Sequence, residues 1–329
     1  MIRLISRQQV EDLLTYEDTI RILEKAFGDI PTGRAITPPR VRMDIPQRRG
    51  RQVAMMAFVE SCDGLGIKIS TTFELDPQTH LSSYAAIIVL HDMNKGGILA
   101  IMDASYITEV RTAAGSAVAT KYLARENAKT LAIIGAGKQG RSHLKAISIV
   151  RPITYVKVYD PSRESLEKFV RLAEEELPKA KTEVVSSPKE AVEGADIVCT
   201  TSLSPTPVVE FPWVKPGTHI NAIGAWTPET REIDSATMAA AKVVLDSRAA
   251  VLPEAGDILI PIEEGIITED HIYAELGEIC NGSKPGRTNP GEITLFKSVG
   301  SAVTDVATAV VVYQRAVEHN VGNVVADLQ

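Results

Sequence analysis

The spacing of apolar residues changes partway along the chain, and that change marks its organisation. From Ser6 to Phe27 the apolar positions follow a helical period, with Ile20, Leu23 and Phe27 on one face. Ser6 and Thr15 are placed to cap two short helices there. Strand-like runs follow over residues 40–45, 53–59, 66–73, 83–91 and 98–103, and Asp92-Met93-Asn94-Lys95-Gly96-Gly97 reads as the turn between the last two. An alanine-rich helix is predicted over 108–124. Strands and helices then alternate. Strands fall at 131–134, 155–159, 182–185, 197–200, 219–223 and 243–245, and helices at 139–150, 162–177, 187–193 and 235–241. The proline-rich stretch 202–217 reads as a loop, and a last helix runs over 299–318. The first part predicts an α+β domain with an antiparallel or mixed sheet. The second predicts a Rossmann-type, doubly wound parallel sheet of six strands, so the chain is of the α/β class.

The alternation carries a chemical signal. Gly135-Ala136-Gly137-Lys138-Gln139-Gly140 lies between an apolar run and a helical pattern, and Asp160 stands 23 residues beyond Gly137 at the end of the next run. This is a G-x-G-x-x-G turn in a strand–turn–helix setting. Gly135 allows the tight turn, Gly137 lets a pyrophosphate approach bare backbone, and Gly140 lets the helix pack close. The helix start at Lys138 and Gln139 offers unpaired N–H groups to phosphate. A carboxylate at position 160 accepts ribose hydroxyls and repels a 2′-phosphate, which favours NAD(H) over NADP(H). Arg163 is near enough in sequence to leave NADP(H) possible. Thr201 and Ser202 leave the fourth strand, where nicotinamide-side contacts belong.

Composition narrows the class without naming the reaction. The 329 residues are enough for two domains, with 44% apolar and 23% charged positions. A net charge of −7 with no basic stripe argues against a nucleic-acid partner, and the cluster Arg48-Arg49-Arg51 reads as a solvated turn. Cys62, Cys199 and Cys280 are too far apart for a zinc site or a disulfide framework, which fits a reducing cytoplasm. No metal-ligand cluster, signal-peptide pattern or membrane-spanning run is read. His80 and His91 are the histidines nearest the expected substrate region, and neither belongs to a readable catalytic arrangement.

Several short segments together resemble the ornithine cyclodeaminase/mu-crystallin family. They are Ile101-Met102-Asp103-Ala104, Arg111-Thr112-Ala113-Ala114, Gly135-Ala136-Gly137-Lys138-Gln139, Asn221-Ala222-Ile223-Gly224-Ala225, Val244-Leu245-Asp246-Ser247 and Phe296-Lys297-Ser298-Val299-Gly300. The resemblance implies a substrate-binding and dimerisation domain over residues 1–112 with 300–329, a nucleotide domain over 113–299, and a homodimer. It implies that Arg42, Lys68 and Arg111 grip a substrate carboxylate, that Thr112 reaches the cofactor phosphates, and that Lys68 assists catalysis. The physical case for the grip is that a carboxylate needs a fixed cation and arginine supplies a two-pronged one. A lysine within Gly66-Ile67-Lys68-Ile69-Ser70 is costly unless its ammonium has a partner; the plain alternative is a snorkelling side chain on an edge strand. Arg40 and Arg42 alternate on one strand, and pattern alone does not choose between them. Ser298 is read either as facing the cofactor or as a helix N-cap.

The chain also departs from that family's cyclodeaminases. Trp226 stands where they carry an aspartate, and Ala54 where they carry a second acid. Removing hydride from an amine first requires a base to take its proton, which tryptophan cannot do. Reducing a preformed cyclic imine requires no such base, and an indole suits a flat apolar ring, so Trp226 is expected at the substrate; the plain alternative is packing at a strand end. The expected activity is therefore NAD(P)H-dependent reduction of a cyclic ketimine carboxylate such as Δ1-pyrroline-2-carboxylate to L-proline. The alternatives are an ornithine cyclodeaminase, an alanine or other amino-acid dehydrogenase, and a crystallin-like binding protein without turnover.

Overall fold

The computed structural model describes residues 1–76, 81–202 and 204–326, so His80 and Leu203 lie outside the described residues. The chain forms two compact units, Met1–Arg111 with Ser301–Gln329, and Thr112–Gly300.

The first unit contains β1 (Ile2–Ile5), α1 (Arg7–Leu13), α2 (Tyr16–Asp29), β2 (Ala35–Ile36), β3 (Val41–Ile45), β4 (Gly50–Val59), β5 (Gly64–Asp76), β6 (Leu81–His91) and β7 (Ile98–Asp103). Helix α3 (Ser105–Leu123) follows and carries the boundary between the units. Ser6 and Thr15 cap α1 and α2, as their sequence positions predict, Ser6 within a capping box. Asp103 accepts the N–H groups of Ser105 and Tyr106, which starts α3 three residues before its apolar pattern becomes legible.

Strand order in this unit is β16-β1-β7-β6-β5-β4-β2, with β3 also paired to β4; β16 is the short C-terminal strand Asn323–Val325. The pairing is antiparallel except for β1 with β7. Helix α11 (Ala302–Glu318), numbered last in the chain, packs on α2 and on β4, β5 and β6. The register places Met55, Lys68 and Ile88 in one cross-strand row, with Met55 and Ile88 buried. The next row, Val41–Ala54–Ile69–Ile87, points to the other face, where Val41 and Ile87 are exposed.

The second unit runs through β8 (Thr130–Ile134), α4 (Lys138–Val150), β9 (Tyr155–Tyr159), α5 (Arg163–Glu176), β10 (Lys181–Val184), α6 (Pro188–Val192), β11 (Ile197–Thr200), β12 (His219–Ala222) and α7 (Ser235–Ala240). It continues through β13 (Lys242–Leu245), α8 (Arg248–Val251), α9 (Gly256–Glu263), β14 (Ile272–Glu275), α10 (Leu276–Cys280) and β15 (Thr294–Lys297). Its sheet is parallel throughout, in the order β10-β9-β8-β11-β12-β15-β13-β14. There are eight strands rather than the expected six. The two extra ones, β14 and β15, are four residues each, and β15 ends in a charged lysine, so neither stands out as an apolar run. The chain direction across the sheet reverses between β8 and β11, so the carboxyl ends of those strands form the switch point where ligands bind in such sheets.

Candidate active site

At the switch point the three glycines do what their spacing implies. Gly135 has φ +103°, and a Cβ there would lie 2.7 Å from the Thr201 backbone. A Cβ on Gly140 would lie 2.0 Å from the Gly135 carbonyl oxygen, so α4 can approach β8 only with glycine there. A Cβ on Gly137 would meet nothing within 4 Å, which leaves open space in front of the N-terminus of α4. The side-chain oxygen of Gln139 in that first turn is buried and has no hydrogen-bond partner among the described residues. Lys138 is exposed beside it.

Asp160 ties the turn together. One carboxylate oxygen accepts the Ala136 N–H at 2.7 Å and the other accepts the Ser162 N–H at 2.7 Å. Each oxygen keeps a lone pair for a ribose hydroxyl. Arg163 pairs with Glu167 along α5 and is almost fully solvated, so it is not turned toward Asp160. Open space for the pyrophosphate, a helix N-terminus behind it and an acid at the next strand end together fit a bound NAD(H).

Thr201 and Ser202 use their side chains on the protein itself. Thr201 Oγ1 donates to the Gly135 carbonyl at 2.8 Å, bracing the glycine turn. Ser202 donates through both N–H and Oγ to Glu232 Oε1, while Thr200 Oγ1 and the Gly224 N–H donate to Oε2. Glu232 is fully buried, and burial together with neighbouring Asp257 pushes its carboxyl above the usual range. Asp257 accepts the N–H groups of Glu232 and Ile233 on one oxygen and meets Lys297 Nζ at 2.8 Å on the other. Lys297 also donates to the Ala225 carbonyl. This acid–acid–lysine chain fixes the 200–202 and 224–225 turns at the carboxyl ends of β11 and β12. Sequence reasoning missed Glu232 and Asp257, because no local pattern marks an acid that will be buried. Trp226, next along, is half-exposed.

Ser298 is not the N-cap of the last helix. Its hydroxyl donates to Asp246 at 2.6 Å, and the same carboxylate oxygen accepts the N–H groups of Val299 and Gly300. The last helix begins at Ala302 with Ser301 as its cap, three residues later than its apolar pattern suggests. The Asp246-containing and Ser298-containing motifs are thus partners in one turn. Thr112 is half-buried on α3.

In the first unit two of the three expected cations converge. Lys68 and Arg111 are buried, and both meet Asp305 of α11: Lys68 Nζ lies 2.6 Å from Oδ2 and Arg111 Nε donates to Oδ1 at 2.9 Å. Burial drives the Lys68 ammonium down to about 8, with Asp305 opposing that shift and Arg111 and Arg40 adding to it. Arg42 is not part of this group. It is exposed and pairs with Asp44 two residues along its own strand. Arg40, in the segment before β3, lies near enough to Lys68 for its positive charge to act on that ammonium. Ala54 is on the other face of the sheet, so the position facing Lys68 is Met55, and neither is acidic. Tyr84, also missed from sequence, lies on the Lys68 face with its hydroxyl 3.3 Å from Thr108 Oγ1.

Other groups are poorly suited to acid–base or nucleophilic work. Burial holds His143 near 4 and His219 near 3, so both are neutral at physiological pH. His91 contacts the Gly96 carbonyl within its own turn. Burial pushes the Cys62 and Cys199 thiols up to about 12. Among the described residues, no group of three His, Cys, Asp or Glu could hold a metal ion.

A parallel, doubly wound sheet with this glycine turn and acid defines a Rossmann-type dinucleotide-binding protein. More particularly, the chain belongs to the ornithine cyclodeaminase/mu-crystallin family, whose profile matches residues 2–320. It is 40% identical over 320 residues to the Δ1-pyrroline-2-carboxylate reductase of Bacillus cereus, covering 97% of this chain and 98% of that one. The structure of Thermococcus litoralis Δ1-pyrroline-2-carboxylate reductase in complex with NADH and L-proline matches with a TM-score of 0.93 and 41% identity, covering 98% of this chain and 100% of that one. An archaeal alanine dehydrogenase dimer with bound NAD matches with a TM-score of 0.92 and 34% identity, covering 99% of each chain.

Proposed function

We propose that this chain is an NADH-dependent reductase of cyclic ketimine carboxylates, acting on Δ1-pyrroline-2-carboxylate to give L-proline. The observation that carries the reading is the charge of the Lys68–Arg111–Asp305 group. Two buried cations share one carboxylate, which leaves a positive charge in excess, and a buried excess charge favours an anion that completes it. A substrate carboxylate supplies that anion. Similarity over nearly the whole chain to reductases of this substrate supports the same assignment.

The chemistry needs a hydride at C2 and a proton at the ring nitrogen. NADH, when bound, supplies the hydride. Arg111 takes the carboxylate with its terminal nitrogens, since Asp305 engages Nε, and Arg40 adds to the positive potential. Lys68, with an ammonium near 8, is charged at neutral pH yet able to release a proton to the imine nitrogen. Trp226 cannot deprotonate an amine, which favours imine reduction over cyclodeamination.

A substrate panel followed by NADH absorbance tests the reading. The expected result is NADH oxidation with Δ1-pyrroline-2-carboxylate and no ammonia from L-ornithine at neutral pH. Ornithine deamination at a comparable rate would overturn it in favour of a cyclodeaminase, and preferential pyruvate amination would favour an alanine dehydrogenase. In the same assay NADH should be a better donor than NADPH. Asp160→Ser should move the ratio toward NADPH, because it removes a charge that repels the 2′-phosphate. An unchanged ratio would mean that Asp160 does not select the cofactor.

The working form is proposed to be a homodimer in the cytoplasm. One face of the first unit's sheet lies under α11, while the other exposes Ile36, Val41, Met43, Met56 and Ile87. Exposed apolar side chains gathered on one sheet face call for a partner, and a second copy is the proposed occupant; the related archaeal alanine dehydrogenase is a dimer. Light scattering should give twice the 35.6 kDa chain mass. Val41→Glu with Ile87→Glu should give the single-chain mass; a dimer that survives both changes would place the interface elsewhere.

A further inference from the structure

Asp305 sits on a helix face that is otherwise apolar or small. Ala302, Val303, Val306, Ala309 and Val310 are its buried neighbours along α11. A carboxylate in such a face is costly unless it is paired, and pairing it with one cation would have been sufficient for folding. Instead it holds two, Lys68 from β5 and Arg111 from α3, one on each oxygen. The two contacts fix the separation and orientation of groups that come from distant parts of the sequence. We propose that Asp305 is the positioning residue of the carboxylate grip: it holds Lys68 and Arg111 as a preorganised pair, one on each carboxylate oxygen. This rests on the reading above, in which Lys68 and Arg111 receive the substrate carboxylate.

The groups that face Lys68 make the electrostatic consequence explicit. Asp305 reaches it from α11, Arg111 from α3 and Arg40 from the segment before β3. Tyr84 of β6 lies on the same sheet face, its phenol pushed above the usual tyrosine value by partial desolvation. Burial, Arg111 and Arg40 all disfavour the ammonium, and Asp305 is the partner that favours it. Substrate binding is therefore expected to fail as pH rises through about 8, when Lys68 loses its proton. Without the Asp305 charge, that loss occurs at lower pH.

The test is the pH profile of kcat/KM for Δ1-pyrroline-2-carboxylate, with NADH affinity measured alongside. Asp305→Asn should move the alkaline limb down by about one pH unit or more and raise KM about tenfold near neutral pH. Activity should recover toward that of the unaltered enzyme as pH falls, which a purely structural defect would not produce. A folded Asn variant with normal NADH affinity and an unmoved limb overturns the proposal. Should the Asn variant not fold, Asp305→Glu decides, because it keeps the charge and displaces it. A raised KM with the limb in place supports positioning, and any other result overturns it. Arg111→Ala separates the two levels of the argument. If it leaves KM unchanged, the grip itself is wrongly assigned; if it raises KM while Asp305→Asn leaves the limb unmoved, only the role of Asp305 falls.

Discussion

Replacing Arg111 by alanine should lower kcat/KM for Δ1-pyrroline-2-carboxylate by at least about a hundredfold, because a charge-assisted, two-pronged contact in a desolvated site is worth about 3 kcal/mol. The side chain is buried and held by Asp305, so the contact is made by a group that loses little freedom on binding. The fold should tolerate the change, since Lys68 still neutralises Asp305 at 2.6 Å. Arg111→Lys should recover only part of the loss, because an ammonium cannot offer a planar fork. NADH affinity, read by fluorescence titration, should change little. A variant that loses NADH and keeps its KM for the imine would show that Arg111 serves the cofactor instead.

The second large effect concerns stability rather than turnover. Lys297 and Asp257 are fully buried and 2.8 Å apart. Lys297→Met would leave Asp257 without its cation and beside Glu232, another buried acid. Breaking such a pair from one side costs about 3–5 kcal/mol, which for a unit of this size corresponds to a fall in Tm of about 10 °C. Adding Asp257→Asn should restore much of the stability, because the amide oxygen can still accept the Glu232 and Ile233 N–H groups. Thermal unfolding followed by circular dichroism decides: a Tm for Lys297→Met within a degree or two of the parent would mean that solvent or rearrangement relieves Asp257.

The local chemistry of this protein is written in its sequence. Gly135, Gly137, Gly140 and Asp160 lie within one strand–turn–helix–strand unit, so their spacing alone fixes their relation, and each glycine takes the turn, open space or close approach that its position implies. The caps at Ser6 and Thr15 and the alternation from β8 to β12 are legible for the same reason: each depends on neighbours a few residues away. Four-residue strands such as β14 and β15 are too short to show a period, and only pairing inside the sheet makes them strands. Arg40 and Arg42 are equivalent in the sequence, because two residues on one face of a strand stay so until other elements are placed beside them; folding pairs Arg42 with Asp44 and brings the Arg40 charge to bear on Lys68. Asp305, Glu232 and Asp257 were invisible for a related reason. An acid in a sequence reads as a surface residue, and its burial is decided by cations and N–H groups that folding brings from far along the chain: Lys68 and Arg111 to Asp305, and Lys297 to Asp257. Contacts between near neighbours are set by the order of residues, whereas partnerships between distant positions exist only once the chain has folded.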